Sequence, residues 1–316
     1  MFKPLLLLLA SLFLLLSFAC RQGPAEVQIP IAIQFVDGEQ AAALIAEDST
    51  EGYFNNWSMA DARLQMGLPD SLSIDLGEYQ AWLSGLPQVW PSALKSKLEM
   101  IWREVLSDCY RLYPQLDLQN ISLILTNDQP YGRSIYFTRQ NAVICPMSDL
   151  QRSSNEEVEK VMQHELFHLI SRKHQNLREE AYSFVNFLPA PDSLKWPGEL
   201  FGRRLLNPDA PFPDYALQHE GKLFVPLVYA AQSPYNPDSP DHFAEQLRFN
   251  YFQLEGDSLS PPVLPIAEVV KQTGGLTNYI LHPEEILADH FVLLMQQGGP
   301  GDNPYLQQLH QLLLKN

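Results

Sequence analysis

Basic residues are scarce in this chain. Its 316 residues include 21 Lys and Arg against 37 Asp and Glu, a formal net charge of −16. That balance argues against a nucleic-acid partner and against electrostatic attraction to an anionic surface. The acids are spread along the chain rather than clustered, so the charge itself reads as solubility. Cysteine is scarcer still, with three in the chain, which excludes a disulfide-stapled scaffold. No internal repeat is visible, which argues against a solenoid or propeller. No low-complexity segment follows the N-terminal apolar run.

That run, MFKPLLLLLASLFLLLSFAC, carries one early Lys and is apolar almost without break to Leu16. A membrane-spanning helix needs about 20 apolar residues. This shorter stretch at the chain start reads as a signal peptide over 1–19. Ser17 to Cys20, SFAC, resembles the processing site of bacterial lipoproteins, with Ser17 where that pattern usually has Leu. The resemblance implies a diacylglyceryl and palmitate anchor on Cys20, a tether over 20–30, and an extracytoplasmic, membrane-anchored protein. Arg21, where an Asp would signal retention, implies the outer membrane of a Gram-negative bacterium. Cys109 and Cys145 then remain, suited either to one disulfide or to two buried thiols.

Residues 31–316 are long enough for one domain, of which 31–115 could form a subdomain. IAIQFV at 31–36 suits a strand, and LGEYQAWLSGL a short helix. Leu94, Leu98, Ile101, Trp102, Val105 and Leu106 recur at helical spacing behind Pro91, predicting a helix over 92–112. ISLILTND (121–128) predicts a strand, and 134–146 a hairpin turning at RQN. Ser154 and Glu157 form a capping-box pattern at the start of a helix over 155–173. A second helix follows in LREEAYSFVNFL. The interval 190–265 is rich in Pro, Asn, Asp and Gly, with strand-like pieces at 222–230 and 248–256. It is expected to be irregular and to frame a site. A helix from Pro283 through Met295 and a final amphipathic helix close the chain.

The helix over 155–173 carries HELFH. His164 and His168 are four apart and face the same way, so both imidazoles can point at one metal ion. Glu165 beside them can deprotonate a water activated by that metal. Buried imidazoles and a buried carboxylate on an apolar-faced helix are costly unless used. A catalytic zinc takes three protein ligands. Glu179, Glu180, His219, Glu220, His282, Glu284, Glu285, Asp289 and His290 are all available as the third. Glu285 is favoured because Asp289 lies four residues on, on the same helix face, where it can hold the far nitrogen of a ligand histidine. Glu284 has Ala288 at that spacing instead.

HELFHLISRKHQNLREEAYSFVNF together with the later HPEEILADHF resembles bacterial zinc metallopeptidases of the glutamate-zincin type, HExxH followed by ExxxD. Ser171, Arg172, Asn176, Leu177, Arg178 and Tyr182 match the segment that follows HExxH in that group. The long interval between His168 and Glu285 departs from thermolysin-like enzymes. The resemblance implies an α+β, zincin-like metallopeptidase fold, with a small mixed sheet packed on the HExxH helix and a mainly helical C-terminal part. It implies one Zn2+ per chain on His164, His168 and Glu285, with Asp289 behind them and Glu165 as general base. Tyr182 is the leading oxyanion donor, ahead of Tyr279 and His282. Asn141–Cys145 is expected to pair with an extended peptide substrate. The expected partners are a peptide or protein substrate and the lipid membrane. The alternative is an inactive or non-peptidase envelope lipoprotein that uses the same fold for binding.

Overall fold

The computed structural model describes residues 29–48, 52–132, 134–231 and 242–315. The expected signal peptide, Cys20 and most of the tether lie outside them. The chain is a mixed α+β protein built on two sheets.

The first sheet is mixed. It contains β1 (Ile33–Val36), β2 (Pro87–Gln88), β3 (Ile121–Thr126), β4 (Phe137–Arg139) and β5 (Ala142–Pro146), in the order β1-β3-β5-β4 with β2 beside the end of β3. β1, β3 and β5 run parallel, and β4 folds back antiparallel with Phe137 opposite Ile144. Every residue of β3 and β5 is buried, which is why ISLILT and AVICP read as apolar runs rather than alternations. β5 is interior, flanked by β3 and β4. This corrects the expectation that Asn141–Cys145 meets a substrate, because its backbone groups are already paired. The free edge on that side belongs to β4.

Five helices form the main core with this sheet: α1 (Ser92–Leu112), α2 (Asn155–Lys173), α3 (Gln175–Phe184), α4 (Pro283–Gln297) and α5 (Pro304–Lys315). α2 packs against α1, α3, α4 and β4. Trp102, Phe167 and Phe291 are fully buried where these helices meet. Burial of each such side chain stabilises the fold by about 1.5–3 kcal/mol. Cys109 and Cys145 are both buried and free, so they serve as small apolar side chains. Burial pushes the Cys109 thiol up to about 12.

The second sheet occupies most of the interval expected to be irregular. β6 (Phe187–Pro189), β7 (Tyr215–His219), β8 (Lys222–Ala230), β9 (Leu247–Glu255) and β10 (Ser258–Leu264) form an antiparallel sheet in the order β10-β9-β8-β7-β6. Glu220 and Gly221, at φ 47 and 76, make the two-residue turn between β7 and β8. Positive φ at both positions matches the right-handed twist of the flanking strands. The C-terminal part is therefore mainly helical only beyond Leu264. No helix among the described residues is long and apolar enough to cross a membrane.

Candidate metal centre

Two helix starts set the geometry of the site. At the head of α2, Ser154 Oγ accepts the Glu157 N–H at 3.2 Å while Glu157 Oε2 accepts the Ser154 N–H at 2.7 Å. Arg172 and Lys173 in its last turn suit the negative end of the helix dipole. α4 begins with Pro283 in its first turn, and His282 Nδ1 caps it by accepting the Glu284 N–H at 3.2 Å. Glu284 and Glu285 sit in that first turn, where the dipole favours carboxylates. Packing α2 against α4 then sets two histidines against three acids.

Glu285 Oε2 lies 3.0 Å from His164 Nε2 and 3.6 Å from His168 Nε2. The far side of each ring also meets a carboxylate. His164 Nδ1 is 3.0 Å from Asp289 Oδ1, and His168 Nδ1 is 3.0 Å from Glu284 Oε1. Each imidazole is thereby oriented with Nε2 toward Glu285. Asn207 Nδ2 donates to Glu285 Oε1 at 2.7 Å, fixing the third carboxylate as well. Asp289 accepts the Thr277 hydroxyl on its other oxygen. Glu284 accepts the Ser171 hydroxyl on Oε1 and the Tyr182 hydroxyl, at 2.5 Å, on Oε2.

These acids control the charge at the site. Burial alone would lower His164, but hydrogen bonds to Asp289 and Glu285 raise it to about 9. His168 is raised against the same burial by Asp209, Glu285 and Glu284. Burial opposes the charge on Glu284, yet Arg178, His168 and Ser171 together hold it down at about 2. Glu165 is pushed the other way, up to about 8, first by burial and then by the negative charge of Asp209.

Among the described residues, His168 Nε2 and Glu165 Oε2 are buried without a hydrogen-bond partner. A buried polar atom left so costs about 1–3 kcal/mol. A shared cation would remove that cost. Two imidazoles with a carboxylate are the donor set of a catalytic zinc, whereas calcium and magnesium prefer oxygen alone. The residues therefore fit zinc. Groups formed by His164, Glu165 and His168, and by His168, Asp209 and Glu285, bring their ligand atoms within 4.8 Å of one another.

His164, Glu165, His168, Glu285 and Asp289 thus come together as the sequence pattern expects. Tyr182 is placed elsewhere. Its hydroxyl is committed to Glu284, behind His168, and it does not line the cleft beside the histidines. His282 caps α4 and stands edge-on to Tyr182. Tyr279 does line the cleft, stacked on His164 with ring centroids 5.8 Å apart. Of the other possible ligands, Glu180 is exposed, His219 bonds to Gln272, and His290 is buried in the core.

Glu284, Asn207 and Asp209 are additions the sequence reading lacks. Glu284 is passed over there for want of a partner four residues on, but its partner comes from α2. Asn207 and Asp209 fall in NPDAPFP, where turn chemistry explains the same residues. Beside the histidines opens a cleft of about 720 Å3 with largely apolar walls, including Ile135, Val161, Leu247, Phe249, Leu281 and Val292. Comparison with family models, with curated proteins and with solved structures returns no match to this chain.

Proposed function

We propose that the protein is a zinc-dependent peptide hydrolase of zincin-like, glutamate-zincin type, acting on the extracytoplasmic side of a membrane. The observation that carries this reading is Glu285 Oε2 placed 3.0 and 3.6 Å from two Nε2 atoms whose rings are fixed from behind by Asp289 and Glu284. Bound by His164, His168 and Glu285, zinc would polarise a scissile carbonyl and lower the pKa of an attacking water. Glu165 takes the proton from that water and passes it to the leaving amine. Burial and the neighbouring Asp209 raise its affinity for a proton, which suits a group that must take one up. Tyr279, in the cleft beside His164, is the placed donor for the developing oxyanion. The cleft takes up the substrate, and its wall at Ser134, Ile135 and Tyr136 leads into β4, the edge strand, rather than β5.

Cys20 carries the proposed lipid anchor, so labelled palmitate should enter the wild-type chain and not Cys20→Ser. The enzymatic reading is tested by metal analysis and a broad peptide library. It expects about one zinc per chain and cleavage that depends on it. A protein that binds zinc and cleaves nothing supports the binding-module alternative. A protein that binds no zinc removes both.

A further inference from the structure

We propose that Asp209 is a fourth protein ligand of this centre, and that the loop carrying it holds the site closed at rest. The inference rests on the zinc reading above, and it goes beyond the two-histidine, one-glutamate set that the sequence pattern supplies.

The side chain is built into the site rather than left near it. Asp209 is buried, at 5% exposure. Its ligand atom lies within 4.8 Å of those of His168 and Glu285, which themselves lie within that distance of each other. Asn207 spans the two acids: its Nδ2 donates to Glu285 Oε1 at 2.7 Å, and its Oδ1 accepts the Asp209 N–H at 3.1 Å. One amide thus positions both carboxylates. Thr138 on β4 donates its N–H to Asp209 Oδ1 at 2.8 Å and its hydroxyl to the same atom. Among the described residues, hydrogen bonds reach the carboxylate only at Oδ1, leaving Oδ2 for a cation.

The charge count points the same way. The carboxylates of Glu165, Asp209 and Glu285 share one buried neighbourhood with two imidazoles. Like charge buried at this density is unfavourable without a counter-ion. Arg172, 3.7 Å from Asp209 Oδ1, offsets part of it. When a cation is bound the two imidazoles are neutral, and a divalent ion taking Asp209 as well as Glu285 offsets the rest in place of their protons.

A zinc site with four protein ligands is closed, whereas a working one keeps a position open. Asp209 lines the same cleft as Glu165. By bonding Thr138 N–H, it also caps the free edge of β4, where an extended peptide would pair. Metal position and strand edge are blocked by one residue. Turnover therefore requires the Asn207–Asp209 loop to lift, and a substrate that displaces Asp209 gains both sites at once.

The test uses the full chain loaded with cobalt, with Asp209→Asn as the variant because its side-chain oxygen can still accept from Thr138. Loss of a ligand should weaken cobalt binding by about tenfold or more. Acetohydroxamate, a small chelating probe, should change the visible spectrum of the variant at a concentration about tenfold below that needed for wild type. Equal cobalt affinity and equal hydroxamate titrations overturn the role of Asp209 while leaving the zinc reading intact. Wild-type protein that takes up no cobalt overturns both. Should the variant not fold, wild type alone decides by electron–nuclear double resonance in oxygen-labelled water. The closed centre shows no directly bound labelled oxygen, and a bound one overturns the proposal.

Discussion

Glu284 and His168 form a fully buried pair, with Nδ1 of the ring 3.0 Å from Oε1 of the carboxylate. Tyr182 holds the other carboxylate oxygen at 2.5 Å, and Ser171 reinforces the first. Ser171 and Tyr182, two of the matched residues of the segment after HELFH, thus meet at one acid behind the His168 ring. Arg178 belongs with them, 3.7 Å from Glu284 Oε2. Their shared task is to aim His168 Nε2.

Loss of that aim should appear first in metal affinity. Glu284→Gln is expected to weaken zinc binding about 10–100-fold, and Tyr182→Phe by less, with secondary structure retained. Chelator competition measures both. Unchanged affinity in Glu284→Gln would remove the orienting role, and a catalytic defect in Tyr182→Phe with normal zinc affinity would return Tyr182 to the cleft.

Zinc affinity should also drop in acid. Despite burial, Asp289 and Glu285 raise His164 to about 9, and acids likewise raise His168. Protons on His164 below about 9, and on His168, which is raised in the same direction, compete with the cation. Apparent Kd should therefore rise about tenfold or more per unit between about pH 8 and about pH 6. A flat profile over that window would contradict the site's protonation.

Glu165→Gln separates binding from chemistry. The amide keeps the shape of the side chain and cannot accept the proton. Zinc content should stay near that of wild type, while peptide hydrolysis falls at least about a hundredfold. Wild-type rates in this variant would eliminate Glu165 as the base.

The helices and the paired motifs were legible because their signals are local. Ser154 and Glu157 mark the start of α2, and His164 and His168 keep one face through four-residue spacing. The same logic led to Glu285 and Asp289 on α4. It could not reach Glu284, since spacing along one helix is silent about a partner on another. β6 and β10 of the second sheet were hidden for a different reason. β6 has three residues, and β10 is SLSPPVL, whose prolines argue against a strand until a bulge at Ser260–Val263 absorbs them. Asp209 resembles any loop aspartate until Thr138 and Asn207 are seen around it.

Away from the metal, Asp61 should make stability depend on pH. It is buried at 1% exposure among Tyr53, Gln65 and the backbone of Leu206. Burial raises its pKa to about 7, against hydrogen bonds from those neighbours that would lower it. The folded state therefore holds a proton that the unfolded chain releases at about pH 4. Its contribution is fully present below that pH and is lost as pH rises through about 7. Asp61→Asn should flatten this part of the profile and raise Tm most near neutrality. Calorimetry at about pH 5 and about pH 8 tests it. Parallel profiles for variant and wild type would show that Asp61 is ionised throughout.

The cleft walls predict which peptides fit. Leu247 and Phe249 are two apart on β9 and share one face, and they line the cleft with Val161, which lies one turn before Glu165 on α2. Acids are gathered at the metal end, where Glu165, Asp209, Glu285 and Asp289 lie. An acidic side chain next to the scissile bond would meet repulsion and apolar walls, whereas a bulky apolar one gains burial. Cleavage should favour Leu, Phe or Met beside the bond over Asp or Glu. Phe249→Ala should lower kcat/KM for those apolar substrates about tenfold while sparing zinc content and small-residue substrates. A loss spread evenly over all peptides would point to a general defect and defeat the assignment of this wall to substrate choice.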